Sequence, residues 1–149
     1  MRRYVAVVGP GEATPGDLTA ARAVGSELAR ADAVLVCGGL GGVMEAACHG
    51  ARETGGTTVG ILPGADRATA NAFVDVAIAT GLGEARNALV VRSADALIAI
   101  GRGYGTLSEI ALALRARKPV LAVDSWDIEG VQSAATPEEA VTAALAALT

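Results

Sequence analysis

The chain has little aromatic content, a single histidine and a single lysine. Its 149 residues include one Phe, two Tyr and one Trp, although 52% of them are hydrophobic. Alanine, valine, leucine and isoleucine must therefore build the core, and the 19 glycines favour close packing of helices onto a sheet. One histidine excludes a histidine-rich metal site and disfavours a histidine-dependent catalytic triad, so we expect no metal.

A basic surface, a secretion signal and a membrane span are missing as well. The formal net charge of −4 argues against a surface that binds nucleic acid. No apolar run approaches the ~20 residues of a membrane span, and the N-terminus has no signal-peptide core. Cys37 and Cys48 show neither a metal-ligand spacing nor a disulfide framework. We expect one cytoplasmic domain over residues 1–149, with neither a membrane nor nucleic acid as a partner.

Several cofactor signatures are also absent. The chain has no P-loop sequence, and its first glycine turn, Gly9-Pro10-Gly11, does not continue as a dinucleotide fingerprint. The only lysine, Lys118, precedes Pro119 at the start of an expected strand, at the edge of the sheet away from the ligand side. A lysine Schiff base for pyridoxal phosphate therefore has no candidate. We expect no required cofactor.

Short apolar runs alternate with helical patterns along the whole chain. The runs predict strands at residues 4–8, 33–36, 57–62, 74–79, 96–100 and 120–123, with residues 65–73 as a loop or short helix. Helices are predicted at residues 17–30, 42–54, 84–93, 106–116 and 137–148, the last with Thr136 as N-cap and Glu139 as its capping-box partner. Buried strands that alternate with helices indicate a parallel sheet covered on both faces. The sequence therefore predicts an α/β, Rossmann-like doubly wound fold with a mainly parallel sheet and helices on both faces.

The most informative segment is the glycine-rich stretch over residues 101–109, between a predicted strand and a predicted helix. Glycines let the backbone approach an anion, and the first N–H groups of a helix have no partner inside it. A strand, a glycine turn and a helix follow one another again at residues 33–45. Because the C-terminal ends of parallel strands meet at one edge, we expect a single phosphate site there. The residues that we expect to bind the ligand are Gly9, Gly11, Gly38, Gly39, Gly41, Gly42, Met44, Gly101, Arg102, Gly103, Tyr104, Gly105 and Thr106.

Two charged residues near these turns are candidates for chemistry. Arg86 lies in the expected first turn of a helix after a double-glycine turn, where its guanidinium can bind phosphate through two hydrogen bonds. Glu109 fits two interpretations. It can be the capping-box partner of Thr106, or it can bind a ribose hydroxyl and stabilise an oxocarbenium charge.

Three further residues have open interpretations. Glu45 follows the first glycine motif at a comparable place, and there the structural interpretation is favoured over a role in chemistry. Tyr104 and Trp126 could stack on a base or could equally cover apolar surface.

The glycine motifs resemble those of a known superfamily. Residues 38–46 (GGLGGVMEA) are similar to the first glycine motif of the Lonely Guy phosphoribohydrolases and of the wrongly named "possible lysine decarboxylase" group. Residues 101–109 are similar to the P-G-G-x-G-T-x-x-E motif of that superfamily. Residues 60–64 and 80–87 resemble more closely the short bacterial Rossmann-like proteins that are related to molybdenum cofactor carrier proteins. The resemblance covers residues 4–126 and implies a homodimer or a higher homo-oligomer.

The resemblance implies roles for two residues and also shows departures. In the phosphoribohydrolases an arginine and a glutamate serve hydrolysis of the N-glycosidic bond, and Arg86 and Glu109 match those two. The leading Pro-Gly of the second motif is Gly101-Arg102 here, and Asn87 stands where the family has lysine.

Three functions fit these observations. The first is a binding or carrier protein for a phosphate-bearing, nucleotide-like ligand such as molybdenum cofactor; the carrier-like loops and the departures favour it. The second is a nucleoside 5′-monophosphate phosphoribohydrolase that uses Arg86 and Glu109. The third is a ligand-sensing or scaffold dimer. The lysine decarboxylase activity is rejected because no lysine is suitably placed.

Overall fold

The computed structural model describes residues 1–149 and contains one sheet and five helices. The strands are β1 (Tyr4–Val8), β2 (Val34–Cys37), β3 (Thr57–Leu62), β4 (Val76–Ala79), β5 (Ala96–Ile100), β6 (Val120–Val123) and β7 (Gln132–Ser133). The helices are α1 (Pro15–Arg30), α2 (Val43–Glu53), α3 (Arg86–Ser93), α4 (Tyr104–Arg115) and α5 (Pro137–Ala146). Two short 3₁₀ turns, Arg67–Thr69 and Gly83–Ala85, flank β4. None of the helices has the length and apolar character to cross a bilayer.

All seven strands run parallel, in the order β4-β3-β2-β1-β5-β6-β7. Strands β2 to β4 are added outward on one side of β1, and the chain then crosses to the other side with β5. This reversal opens a crevice between the C-terminal ends of β1 and β5, the position at which doubly wound folds bind ligands. The predicted Rossmann-like doubly wound fold is confirmed.

The two faces of the sheet carry separate hydrophobic layers. Val5 and Val7 of β1 pack in one layer with α1, α2 and α5, whereas Ala6 and Val8 pack in the other with α3 and α4. This alternation follows from the two-residue period of a strand. The largest fully buried side chains are all leucine, isoleucine or valine, so the core is aliphatic, as the composition predicts.

Helices α1 and α2 cross at close range because glycines remove the side chains between them. A Cβ on Gly50 would lie 1.9 Å from the carbonyl oxygen of Arg22, and one on Gly25 would lie 1.9 Å from that of Ala47. At the crossing, Ser26 Oγ donates a hydrogen bond of 3.1 Å to the Gly50 carbonyl oxygen. The glycine content therefore serves helix packing as well as turns.

Helix α4 begins two residues earlier than predicted. Gly103 is its N-cap and Tyr104 its first residue, so Glu109 lies in the second turn. Of the two interpretations of Glu109, the capping box with Thr106 is therefore wrong, because neither residue occupies the position that a capping box requires. A glycine N-cap has no side-chain oxygen, so the sequence carries no capping signal for the start of this helix.

Two other helix starts follow side-chain signals. Thr14 Oγ1 accepts a hydrogen bond of 3.1 Å from the Asp17 N–H, and the Asp17 carboxylate accepts one from the Thr14 N–H, so α1 has a full capping box. At α5, Thr136 Oγ1 accepts a hydrogen bond of 3.1 Å from the Glu139 N–H, which confirms the predicted N-cap. The Glu139 carboxylate accepts instead from the Ala135 N–H and so does not close the predicted box.

Two strands differ from prediction. The sequence does not predict β7, because its two residues are exposed and polar and only pair with the end of the sheet at β6. Strand β4 begins at Val76 rather than at residue 74. Just before it, Thr58 Oγ1 donates to the Phe73 carbonyl oxygen at 2.6 Å and accepts from the Asp75 N–H at 2.8 Å. A threonine side chain therefore holds the backbone that precedes the strand.

Candidate functional site

A cleft of about 180 Å³ opens at the crevice between β1 and β5. The ends of β1 and β2, the start of α3 and the first two turns of α4 form its walls. Both glycine motifs contribute to this cavity, as the sequence predicts from the shared sheet edge. The predicted site residues that line it are Gly9, Gly11, Gly38, Met44, Arg86, Gly105, Thr106 and Glu109, together with Val7, Val8, Pro10 and Asn87.

One wall of the cleft is the N-terminus of α4. No side chain caps this helix, so the N–H groups of its first turn are left for other partners, and two residues of that turn, Gly105 and Thr106, line the cleft. The helix dipole adds positive potential at the same end. This wall therefore favours an anion.

Arg86 provides the fixed positive charge of the cleft. Its Nε donates to the Ile61 carbonyl oxygen at 2.9 Å, and its Nη2 donates to that of Gly38 at 3.4 Å. A Cβ on Gly38 would lie 2.5 Å from Nη2, so glycine leaves the room that the guanidinium needs. Arg86 forms no ion pair with a carboxylate, and its charge is therefore available to an anionic ligand.

Glu109 places a buried carboxyl group in the same cleft. The residue is 7% exposed and its side chain makes no hydrogen bond with the rest of the chain. Burial raises the pKa of Glu109 to about 7, against the lowering influence of Arg86. A carboxyl group in this state can donate or accept a proton near neutral pH.

Asn87 is a cleft residue that the sequence reasoning did not assign to the site. Its Oδ1 accepts a hydrogen bond from Arg86 Nη1, and its Nδ2 donates to Ser108 Oγ at 3.2 Å. It thereby links the guanidinium to α4 and is 8% exposed. Its position directly after Arg86 in the first turn of α3 is the signal that could have found it.

Arg102, Gly103 and Tyr104, around the start of α4, do not line the cleft, although they are predicted to bind the ligand. Arg102 is directed to Asp124 at 3.9 Å, and both side chains are exposed. Tyr104 is 85% exposed and stacks on Trp126, with ring centroids 6.5 Å apart. Trp126 Nε1 also donates to the Gly103 carbonyl oxygen at 3.1 Å. The two aromatic rings thus pack on each other, and Arg102 does not line the cavity.

The remaining predicted glycines have packing contacts or lie in the open. A Cβ on Gly101 would lie 2.7 Å from the Asp17 carboxylate, so this glycine permits the approach of α1. Gly39 packs beside Leu62, and nothing lies near Gly41. Gly42 lines a second cavity, which lies beside this cleft. A glycine motif fixes a turn, but which of its atoms face the cavity depends on the packing around it.

Lys118 has a structural role. Its Nζ donates to three carbonyl oxygens at the C-terminal end of α3, those of Val91, Arg92 and Ala94, at 2.8, 3.2 and 2.6 Å. A lysine at this position neutralises the negative end of the helix dipole. It lies at the opposite edge of the sheet from the cleft, as predicted.

Two buried thiols lie directly behind the first glycine motif. Cys37 ends β2, and its Sγ lies 3.5 Å from that of Cys48 on α2. The Gly39 N–H donates to the Cys37 sulfur at 3.3 Å. The hydrogen bond between the two thiols lowers the pKa of Cys37 and raises that of Cys48. These contacts tie the turn after β2 to α2.

A second cleft, of about 600 Å³, lies next to the first. We call it the α1/α2 cleft, because α1, α2 and the loop between β1 and α1 form most of it. Gly11 and Gly42 lie between the two cavities: Gly11 lines both, and a Cβ on Gly42 would lie 2.4 Å from the Gly11 carbonyl oxygen. No group of three or more His, Cys, Asp or Glu side chains is arranged to hold a metal ion anywhere in the chain.

Comparison with known proteins identifies the family. Residues 2–147 match the profile of the SLOG cluster4 family. The chain belongs to the SLOG cluster4 family. A protein from Archaeoglobus fulgidus is 47% identical over 138 residues, which are 92% of this chain and 91% of that relative.

Solved structures similar to this SLOG cluster4 chain include two molybdenum cofactor proteins. The molybdenum cofactor binding protein of Rippkaea orientalis is 41% identical with a TM-score of 0.95, over 100% of this chain and 99% of that one. The molybdenum cofactor carrier protein of Chlamydomonas reinhardtii is 35% identical with a TM-score of 0.90, over 99% of both chains. The predicted resemblance to this branch of the Lonely Guy-like superfamily is confirmed.

Proposed function

We propose that this SLOG cluster4 chain is a carrier that binds a small phosphate-bearing, nucleotide-like ligand, with molybdenum cofactor as its cargo. The observation that carries the proposal is the cleft at the carboxyl edge of the sheet. There the N-terminus of α4, which no side chain caps, and Arg86, which has no carboxylate partner, both favour an anion. Similarity over almost the whole chain to a molybdenum cofactor binding protein and a carrier protein supports it.

The cleft suits the phosphate end of such a cargo. Its volume of about 180 Å³ lies below the ~300–1,000 Å³ of typical ligand pockets, so it holds a phosphate and the atoms next to it rather than a whole cofactor. The chain offers no metal-ligand cluster, so it would bind the cargo through the organic part rather than through the molybdenum.

Phosphate binding tests the proposal directly. A ligand at 100 times its Kd raises the free energy of unfolding by about 2.7 kcal/mol, which denaturant titration resolves easily. We expect inorganic phosphate and AMP to stabilise the native chain, and Arg86→Ala to abolish that stabilisation. Arg92→Ala, which removes an exposed arginine from the last turn of the same helix, is the matched control and should keep it. Equal stabilisation of both variants would show that Arg86 does not bind the ligand.

A second candidate function is hydrolysis of a nucleoside 5′-monophosphate. The observation that favours it is Glu109, a buried carboxyl group whose pKa is raised to about 7 in the cleft that also holds Arg86. In this reaction water attacks C1′ of the ribose, the N-glycosidic bond breaks, and the base leaves with a proton. Incubation with AMP, following free adenine and ribose 5-phosphate, separates the two functions. Hydrolysis of AMP by the native chain that Glu109→Gln abolishes would show that the protein is an enzyme and not only a carrier. No hydrolysis by the native chain would exclude this second function.

We also propose that the chain forms a homodimer or a higher homo-oligomer through the face of α3, α4 and β4. Val76 and Ile78 on β4 are 48% and 47% exposed, and by register they lie on the α3 side of the sheet. Leu89 on α3 and Leu112 on α4 are also more than one third exposed. Exposed aliphatic side chains concentrated on one face are typical of an interface.

We propose that the protein is cytoplasmic. Cys37 and Cys48 are unbridged although their sulfur atoms are only 3.5 Å apart. Thiols this close remain reduced in a reducing compartment and tend to pair in an oxidising one. Alkylation of the unfolded protein, isolated under conditions that block thiol exchange, should label both cysteines; a chain isolated with neither labelled would contradict this placement.

A further inference from the structure

The phosphate cleft leaves most of a nucleotide-like ligand outside it. Its volume is about 180 Å³, whereas the adjoining α1/α2 cleft offers about 600 Å³, within the ~300–1,000 Å³ range of small-molecule sites. Gly11 lines both cavities, and Gly42, which packs against it, lines the larger one. The two cavities are therefore adjacent, and a ligand that occupies both must cross the contact between Gly11 and Gly42.

Two aromatic rings that line the α1/α2 cleft stack on each other. His49 and Phe73, the only histidine and the only phenylalanine of the chain, stack with ring centroids 4.2 Å apart and planes inclined by 8°. The loop that carries Phe73 is fixed to the first glycine motif, because Asn71 donates hydrogen bonds of 2.9 Å to the carbonyl oxygens of Gly39 and Leu40. The aromatic pair is therefore positioned by the same turn that shapes the phosphate cleft.

The charges of the α1/α2 cleft are opposite to those of the phosphate cleft. Glu12 and Glu45 line it, and neither carboxylate has an ion-pair or hydrogen-bond partner in the chain. Its one arginine, Arg22, is committed to Glu53 through two hydrogen bonds of 2.8 and 2.7 Å. Free acceptors beside an aromatic surface are suited to a planar ring that carries N–H donors, and unsuited to a phosphate.

We propose that the α1/α2 cleft binds the planar, amino-bearing heterocycle of the ligand whose phosphate lies beside Arg86. The ring continues the His49–Phe73 stack on its outer face, and its amino edge donates hydrogen bonds to Glu45 and Glu12. This inference rests on the proposed function, because it needs the phosphate anchor, and it names the chemistry of the other end of the same ligand. A sugar phosphate without a ring would fill only the first cleft.

The two halves of the ligand can be tested separately by NMR. Because the chain has one His and one Phe, selective labelling gives one set of ring signals for each. Free pterin, an amino-bearing planar ring without phosphate, should shift the His49 and Phe73 ring signals through its ring current. Inorganic phosphate should leave both unmoved and shift the Nε–H signal of Arg86.

Variants at the acidic edge test the recognition of the amino group. Glu45→Gln keeps the size of an exposed side chain and removes its charge, and it should weaken the binding of pterin about fivefold without affecting phosphate. Glu138→Gln, at an exposed carboxylate in the first turn of α5, is the matched control and should change neither. Equal pterin affinity in Glu45→Gln and the native chain would overturn the role of the acidic edge.

The outcomes distinguish this inference from the proposed function. A shift of Arg86 by phosphate, with His49 and Phe73 unmoved at saturating pterin concentrations, would overturn the inference and leave the carrier proposal standing. Failure of phosphate to shift Arg86 would overturn the phosphate anchor and, with it, both proposals. Shifts at both sites, each with its own probe, are the result that we expect.

Discussion

Replacing Glu109 by glutamine should change how stability depends on pH. The residue is 7% exposed, and burial raises its pKa from 4.5 to about 7. Because each pKa unit corresponds to about 1.4 kcal/mol, ionising this carboxyl group costs the folded state about 3 kcal/mol relative to the unfolded chain. Glutamine has nearly the same shape and no such cost.

The sign of the effect follows from which state ionises first. Below pH 4.5 the carboxyl group is protonated in both the folded and the unfolded state, and burial of the charge costs nothing. Between pH 4.5 and about 7 the unfolded chain loses its proton first, so the native protein loses stability as pH rises. Above that window both states are ionised, and the full cost remains. The variant lacks this titration.

Urea unfolding across the pH range measures the effect as a difference between two proteins. Relative to the native chain, Glu109→Gln should gain about 3 kcal/mol of unfolding free energy between about pH 4 and pH 8. Every other titrating group is common to both proteins and cancels, and Glu138→Gln, at an exposed carboxylate, should show a flat difference. A flat difference for Glu109→Gln as well would refute the reasoning that this carboxyl group is buried and strongly perturbed.

Three further predictions concern stability and assembly. Gly50→Ala should lower the unfolding free energy by about 2–3 kcal/mol, because its Cβ would lie 1.9 Å from a backbone oxygen, whereas Gly64→Ala, in open space, should change it little; equal effects in urea titrations would contradict the close crossing. Lys118→Met should lower the unfolding free energy by about 1–3 kcal/mol, because three carbonyl oxygens lose the ammonium group that donates to them. An unchanged unfolding free energy in the same assay would show that Lys118 does not stabilise the end of α3. Leu89→Glu should convert the oligomer to monomers in light scattering; a native chain that is already monomeric would contradict the proposed interface.

Much of the fold can be predicted because local signals agree with the topology. A continuous apolar run as short as β5 indicates a buried strand when a glycine turn marks its C-terminal end. The start of α4 escapes prediction because Gly103 and Gly105 carry no capping side chain. The short β7 escapes because it is stabilised by pairing with β6 rather than by apolar side chains of its own.

The candidate site is predictable only in part, for a related reason. Arg86 and Glu109 lie in one cleft because each follows a turn at the same sheet edge, and that edge can be inferred from the strand pattern. The raised pKa of Glu109 requires burial by other elements, which no local pattern shows. The contact of His49 with Phe73 depends on how α2 packs against the loop before β4. Spacing along the chain therefore indicates the phosphate anchor but not the neighbouring cleft.

Direct binding of molybdenum cofactor tests the central claim most closely. The native chain, Arg86→Ala and the control Arg92→Ala are each mixed with cofactor released from a molybdenum enzyme, separated by gel filtration under anaerobic conditions, and analysed for molybdenum and for pterin fluorescence. The carrier proposal predicts that molybdenum and pterin elute together with the native chain and with Arg92→Ala, and that Arg86→Ala loses both. Elution of all three proteins without cofactor, or equal retention by all three, would contradict it.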